Sequence, residues 1–307
     1  MTKLILTFVF VLLLSNSFAS EQFIFNVTEI EILENGNKIN GYKGGTVTTE
    51  DGDKILAEEF SYNKVKNILK AKGSVKLINE INEITIFADE AIYFKNEEKV
   101  ITKGNSKAID KKNTITASEF YFDKIKNTLN AKKNVEIIDI EKDIKINADD
   151  ITYFKNEEKV ITKGKTSAII ENKYNFKSSN VSYYHIISDL SSQMKSVIED
   201  NEGNIYYLDK FKYSLKKKLL KGKNLKILAK NAENKNDEYL FSEGFFNLEK
   251  KKFISKETKI KVHKDVFGNK ENDPRIYGSS SYGDNEKTIV NNGIFTSCKF
   301  TDKRTPW

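Results

Sequence analysis

The segment Ala88-Asp89-Glu90-Ala91-Ile92-Tyr93-Phe94-Lys95-Asn96-Glu97-Glu98-Lys99-Val100-Ile101-Thr102-Lys103-Gly104 returns sixty residues later as Ala148-Asp149-Asp150-Ile151-Thr152-Tyr153-Phe154-Lys155-Asn156-Glu157-Glu158-Lys159-Val160-Ile161-Thr162-Lys163-Gly164. Looser copies begin at Ala57 and Ala117, so the starts at 57, 88, 117 and 148 are spaced 31, 29 and 31. A period near thirty residues marks stacked supersecondary units.

Within a unit the apolar residues alternate. Before the Ala stand Ile84 and Ile86, Ile115, or Ile146; after it stand Phe60 and Tyr62, Ala91 and Tyr93, Phe120 and Phe122, or Ile151 and Tyr153. The shift from even to odd offsets predicts a bulge at the acidic pair, such as Asp89-Glu90. A polar turn follows, then a second alternating run: Leu69, Ala71, Gly73, Val75 and Leu77, or Leu129, Ala131, Lys133, Val135 and Ile137. Each unit therefore reads as two antiparallel strands with one apolar face and one wet face. Helical spacing is missing from these runs, and β-branched residues and Tyr/Phe abound. The repeat frays after 170, with further rungs at Val181 and Tyr183, at Leu208 to Gly222, and at Phe241 to Val262. Upstream, Phe23, Phe25 and Val27 alternate, and Asn35-Gly36 is a type I′ hairpin signal.

The chain has 307 residues, 38% hydrophobic and 31% charged, with only 15 Gly and 2 Pro. That excludes a disordered or collagen-like chain. One Cys, Cys298, excludes a disulfide-stapled scaffold and a multi-cysteine metal site within the chain. Two His, His185 and His263, leave little for histidine catalysis. The net charge is +7, but all basic residues except Arg275 and Arg304 are Lys, which disfavours bidentate phosphate reading.

Met1-Thr2-Lys3, the apolar run Leu4 to Leu14 and Ser17-Phe18-Ala19 compose a secretory signal peptide over 1–20, cut after Ala19 or Ser20. The sequence thus predicts an exported chain. No zinc-protease, Walker or dinucleotide motif occurs. Gly278-Ser279-Ser280-Ser281-Tyr282-Gly283 lacks the nucleophile-elbow pattern and reads as a turn. No catalytic residue, cofactor, metal site or nucleic-acid interface is expected. Acidic pairs such as Asp89-Glu90 and Asp149-Asp150, which recur in the repeat, read as bulge or outward-facing residues.

Stacked strand pairs must bury their apolar face, so the sequence predicts two facing sheets in an elongated, repeat-built, all-β architecture. The inward residues Leu69, Val75, Ile84, Ile86, Tyr93, Phe120, Phe122, Leu129, Val135, Ile146 and Tyr153 either fill a core or line a groove for acyl chains; periodicity places them inward in both cases.

The exported repeat, with Ala-Asp/Glu-Glu-x-x-Tyr followed by Gly and alternating Val/Ile, resembles the OstA-like β-jellyroll family. The tail Asp273-Pro274-Arg275-Ile276-Tyr277-Gly278-Ser279-Ser280-Ser281-Tyr282, then Gly293 to Cys298 and Lys303-Arg304-Thr305-Pro306-Trp307, is similar to the junction between the periplasmic domain and the barrel in outer-membrane LPS-assembly (LptD) proteins. The resemblance implies a V-shaped antiparallel β-jellyroll over 21–272, a junction over 273–307 toward an outer-membrane barrel that the sequence does not contain, and a periplasmic or outer-membrane location. It implies lipopolysaccharide as cargo, a periplasmic bridge protein joined by edge-strand addition, and an outer-membrane lipoprotein plug as partner of the barrel. It also makes Cys298 a disulfide candidate. Two other readings stay open: a soluble periplasmic bridge of the same fold, and a secreted β-solenoid binding polysaccharide.

Overall fold

The computed structural model describes residues 23–81, 83–230, 235–269 and 271–299; the expected signal peptide and the closing run Lys303 to Trp307 lie outside the described residues. Among the described residues, 23 strands join in one antiparallel sheet, and the helical segments are four short 3-10 turns. The connectivity is a meander. Ile68–Asn79 pairs with Ile84–Phe94, which pairs with Lys99–Ile109, then Asn113–Asp123, Thr128–Asp139, Ile144–Phe154 and Lys159–Ile170 in turn. Neighbours in sequence are neighbours in space, as short polar turns between alternating runs require.

The rungs do not stop where the sequence repeat frays. Leu219–Lys230, Asn236–Asn247, Lys252–Lys261 and Arg275–Gly283 continue the same pairing. Several rungs are split at mid-strand: Lys54–Ala57 and Glu59–Asn63 lie end to end between the same two neighbours.

The split marks the bulge. Register shifts fall between Phe87 and Glu90 and between Ala148 and Asp150, at the acidic pairs. The left-handed residues stand on the following strand: Gly104 (φ 71) with Asn105 (φ 46), and Gly164 (φ 79). The acidic residue satisfies the backbone or side chains of that bulge. Asp89 accepts from Asn105 Nδ2 at 3.0 Å, Asp149 accepts from the Lys165 amide at 3.0 Å, and Glu58 accepts from Ser74 Oγ at 2.9 Å. The recurrence of these acids thus has a structural origin.

Bending at every bulge sends the two halves of each strand into two layers. Buried residues follow the parity shift: Ile86, Ala88, then Ala91 and Tyr93; Ile115, Ala117, then Phe120 and Phe122. All of these but Ala88 belong to one continuous hydrophobic cluster. Complete burial of a side chain such as Phe120 stabilises by about 2–3 kcal/mol. Facing hydroxyls close the inner side of two bulges, Thr102 with Ser106 at 2.7 Å and Thr162 with Thr166 at 2.7 Å. The architecture is the expected all-β, repeat-built antiparallel jellyroll.

Three local expectations change. Lys133 shares the alternation of Leu129 and Val135 but is exposed, because it sits on the bulge at φ 65 and its ammonium pairs with Glu119 at 3.0 Å. The first hairpin turns through four residues, since Leu33↔Lys38 is its last pair and Glu34, Asn35 and Gly36 all have positive φ. The stretch Gly278 to Gly283 is strand rather than turn; Ser281 points inward and its hydroxyl meets Ser255 at 2.7 Å and Thr258 at 2.8 Å.

Candidate functional site

All eleven inward candidates face the interior. Leu69, Val75, Ile86, Tyr93, Phe120, Phe122, Leu129, Val135 and Ile146 are buried, and Ile84 and Tyr153 are partly buried against the same cluster. The two layers meet face to face. Ile84 and Ile86 from one layer border the same small space as Phe122, Leu129 and Tyr153 from the other, and that space measures about 30 Å³. A neighbouring gap between Ile55, Leu77 and Tyr93 measures about 10 Å³. These are voids of water size, so the layers pack against each other through the clean repeats. Burial pushes the Tyr153 hydroxyl up from its ordinary range, with Asp110 and Glu158 adding to it.

The interior opens toward the C-terminal end. A cleft of about 290 Å³ is lined by Tyr206, Ile227, Tyr239, Phe241, Phe246 and Phe253, close to the lower bound of roughly 300 Å³ for small-molecule pockets. Its wall is aromatic: Phe246 and Phe253 stack at 5.7 Å, and Phe241 stands 5.7 Å from Phe246 and 5.8 Å from Phe253. Its rim is polar and includes Asp200, Glu202, Lys230 and Lys251. The wall residues adjoin the cluster that holds Ile86 and Phe120. None of the eleven candidates lines this cleft. The aromatic density from Tyr239 to Phe253 was the available signal, but alternation alone does not reveal where two layers separate.

Opposite the bulges, the strand ends form two rows of turns, two lips along one edge. The first lip holds the turns at 63–67, 95–98, 123–127, 155–158, 185–188, 215–218 and 248–251; the second holds those at 50–53, 110–113, 140–143, 171–173 and 201–204, and Glu80, whose carbonyl accepts from the Glu83 amide. Ion pairs cross from lip to lip. Lys124 meets Asp53 at 2.9 Å and Asp51 at 3.3 Å, and Lys95 meets Asp51 at 3.3 Å. Lys112 meets Glu158 at 3.0 Å. His185 Nδ1 lies 2.7 Å from Asp139 and Nε2 3.3 Å from Glu141, and the Tyr183 hydroxyl donates to Asp139 at 2.6 Å. Lys218 pairs with Glu171, and Lys251 with Glu202.

The first of these clusters is enclosed, and the His185–Asp139 contact more so. The Tyr93 hydroxyl donates to Glu98 at 2.6 Å and meets Lys124 Nζ at 3.1 Å. Burial and that carboxylate push the Tyr93 hydroxyl up to about 12. Burial is the largest influence on Lys124 and acts downward, yet the bonds to Asp53 and Tyr93 outweigh it and hold the ammonium above its ordinary value. Tyr93 thus presents its ring to the interior and its oxygen to the lip. Sequence reading missed the lips because their partners lie 44 to 73 positions apart: Lys95 lies 44 residues from Asp51 and Lys124 lies 73 from it.

Cys298 is exposed and unbridged, and it is the single Cys of the chain. Its carbonyl accepts from Arg275 Nη1 at 2.8 Å, which ties the tail to the strand Arg275–Gly283.

No protein-family model matches the chain, and no curated protein matches it. Among solved structures it is similar to LptH of Pseudomonas aeruginosa, described as the LptA homologous periplasmic component of the conserved lipopolysaccharide transport device, with TM-score 0.34 and 14% identity over 36% of this chain and 81% of that one. It is also similar to the WD40 domain of SCAP from fission yeast, with TM-score 0.14 and 7% identity over 90% of each chain. Neither score reaches the level at which a shared fold follows, so the fold stands on strand register and burial.

Proposed function

We propose that this chain is an exported lipid-transport module of the OstA-like kind, holding the acyl chains of lipopolysaccharide between its two layers while the sugar headgroup stays in water outside the lips. The observation that carries the reading is the aromatic cleft at Tyr206, Phe241, Phe246 and Phe253, an apolar opening between the layers that runs into the hydrophobic cluster. Each acyl methylene moved from water into such a site is worth about 0.8 kcal/mol. The groove candidates Leu69 to Tyr153 become the path along which chains would displace the packed interior.

The finer assignment follows from the tail. A role as the periplasmic part of an LptD-type outer-membrane assembly protein would place residues 273–307 at a junction to a barrel, pair Cys298 with a cysteine outside this sequence, and bring a lipoprotein plug as the barrel's partner. Edge-strand addition of a bridge protein would use Phe23–Leu33, which among the described residues pairs on one side, with Lys38–Thr49.

The close packing of the clean repeats favours a second reading, a β-solenoid that binds polysaccharide on its outer face. Equilibrium binding of intact lipopolysaccharide and of its deacylated oligosaccharide to the full chain separates the two. Lipid carriage requires that binding be lost on deacylation; retention of affinity for the oligosaccharide would establish the second reading.

A further inference from the structure

The cross-lip ion pairs have a consistent sense. The first lip contributes the ammonium groups of Lys95, Lys124, Lys218 and Lys251, with the His185 imidazole in the same row; the second contributes Asp51, Asp53, Asp139, Glu141, Glu171 and Glu202. The pair Lys112–Glu158 runs the other way. These contacts join six turns of one row to five of the other along the edge, and the series ends where the cleft begins, because Glu202 and Lys251 both stand on its rim. At the opposite edge the layers are joined covalently, since the strands run from one layer to the other through the bulges, with left-handed residues such as Gly104 and Gly164 on alternate strands of the repeats. The angle between layers can therefore change in one way: turning at the bulges and separating at the lips.

We infer that the lips are an ionic zipper, hinged on the row of bulges, and that its parting from the Glu202–Lys251 end gates access to the interior. The chemistry suits a reversible closure. Most of these pairs are partly solvated, individually weak and screened by salt, so they can be exchanged one at a time. Two clusters are enclosed, His185–Asp139–Tyr183 midway along the row and Lys124–Asp53–Tyr93 at the far end, and they mark the part of the row that parts last. Acyl chains entering at the cleft would replace interior side-chain contacts rung by rung as the pairs separate. The inference rests on lipid carriage for what passes the lips; the parting itself is measured without lipid.

The test uses the full chain in a Cys298→Ser background, with spin labels at Ile187→Cys on the first lip and Lys173→Cys on the second, both exposed. Distances between the labels are read by pulsed electron resonance. Lys218→Glu with Lys251→Glu is expected to produce a second, longer population, and 1 M salt to enlarge it. The compensating set, adding Glu171→Lys and Glu202→Lys, is expected to restore the single short distance. An unchanged distance in the charge-reversed protein overturns the inference, as does a compensated protein that stays open, since disruption unrelated to charge would then be the cause. If the lips part as expected while lipopolysaccharide does not bind, the zipper stands and lipid carriage fails.

Discussion

Asp89 lies against Gly104 so closely that a Cβ on the glycine would stand 2.1 Å from the Asp89 Oδ2. The glycine is also left-handed, at φ 71. Gly104→Ala therefore meets a backbone cost and a collision together, and is expected to destabilise by about 2–4 kcal/mol in urea unfolding. The equivalent position on the next unit carries Lys133 at φ 65, exposed, where glycine removes strain. Lys133→Gly is expected to be neutral or to stabilise by up to about 1 kcal/mol. Equal destabilisation by both changes would contradict the bulge as the shared structural device.

Lys124 joins Asp51, Asp53 and Glu98 within 3.3 Å. Its side chain is 15% exposed and that of Asp53 6%. Removing the cation leaves three carboxylates together, one of them buried. Lys124→Met is expected to cost about 3 kcal/mol, while Lys72→Ala, which breaks an exposed pair with Glu90 at 3.8 Å, is expected to cost less than about 0.5 kcal/mol. Chemical denaturation of both variants checks the contrast.

The same cluster sets the pH limits of stability. Hydrogen bonding to Lys124 holds the Asp51 carboxyl below its ordinary range, and the bonds from Lys95, Tyr93 and Lys124 overcome burial to do the same for Glu98. A lowered folded value means that their contribution is present above the ordinary carboxylate range and is lost as pH falls through the depressed values. Tyr93 acts at the other end. Its hydroxyl rises from 10.0 to about 12, so its contribution is whole below 10.0 and disappears as pH climbs to about 12. Thermal midpoints of the parent and Tyr93→Phe across both windows test this: the alkaline loss is expected to shrink in Tyr93→Phe, and an unaltered alkaline limb would count against the assignment.

Gly244 stands under the aromatic wall of the cleft, where a Cβ would come within 2.4 Å of the Phe246 ring. Gly244→Ala is expected to push that ring into the opening and to weaken capture of an acyl ligand several-fold, with thermal stability changing little because the ring has free space to enter. Titration with a fluorescent acyl probe reads the effect. Full retention of affinity would remove Phe246 from the binding surface.

The fold was legible because its signal is local. The change of parity between Ala88 and Ala91, and again between Ala148 and Ile151, marks strand, bulge and strand within fifteen residues, and the burial of Ile86, Ala91 and Tyr93 follows it. The turn expected at Gly278 to Gly283 failed because composition suggested flexibility, whereas Ser281 is held inward by two hydroxyls across the sheet. The lips and the cleft depend on which turn faces which across two layers. That information lies in pairs such as His185 with Asp139, 46 residues apart, and no alternation along one strand contains it.

The measurement closest to the central claim is photocrosslinking of lipopolysaccharide to the full chain from a benzoylphenylalanine placed at Phe246, in the cleft, or at Phe120, in the packed middle. Lipid carriage with entry at the cleft predicts an adduct from Phe246 at low lipid concentration and one from Phe120 only as loading proceeds. Absence of an adduct from either position, under conditions where the protein is folded and lipid is in excess, would contradict it.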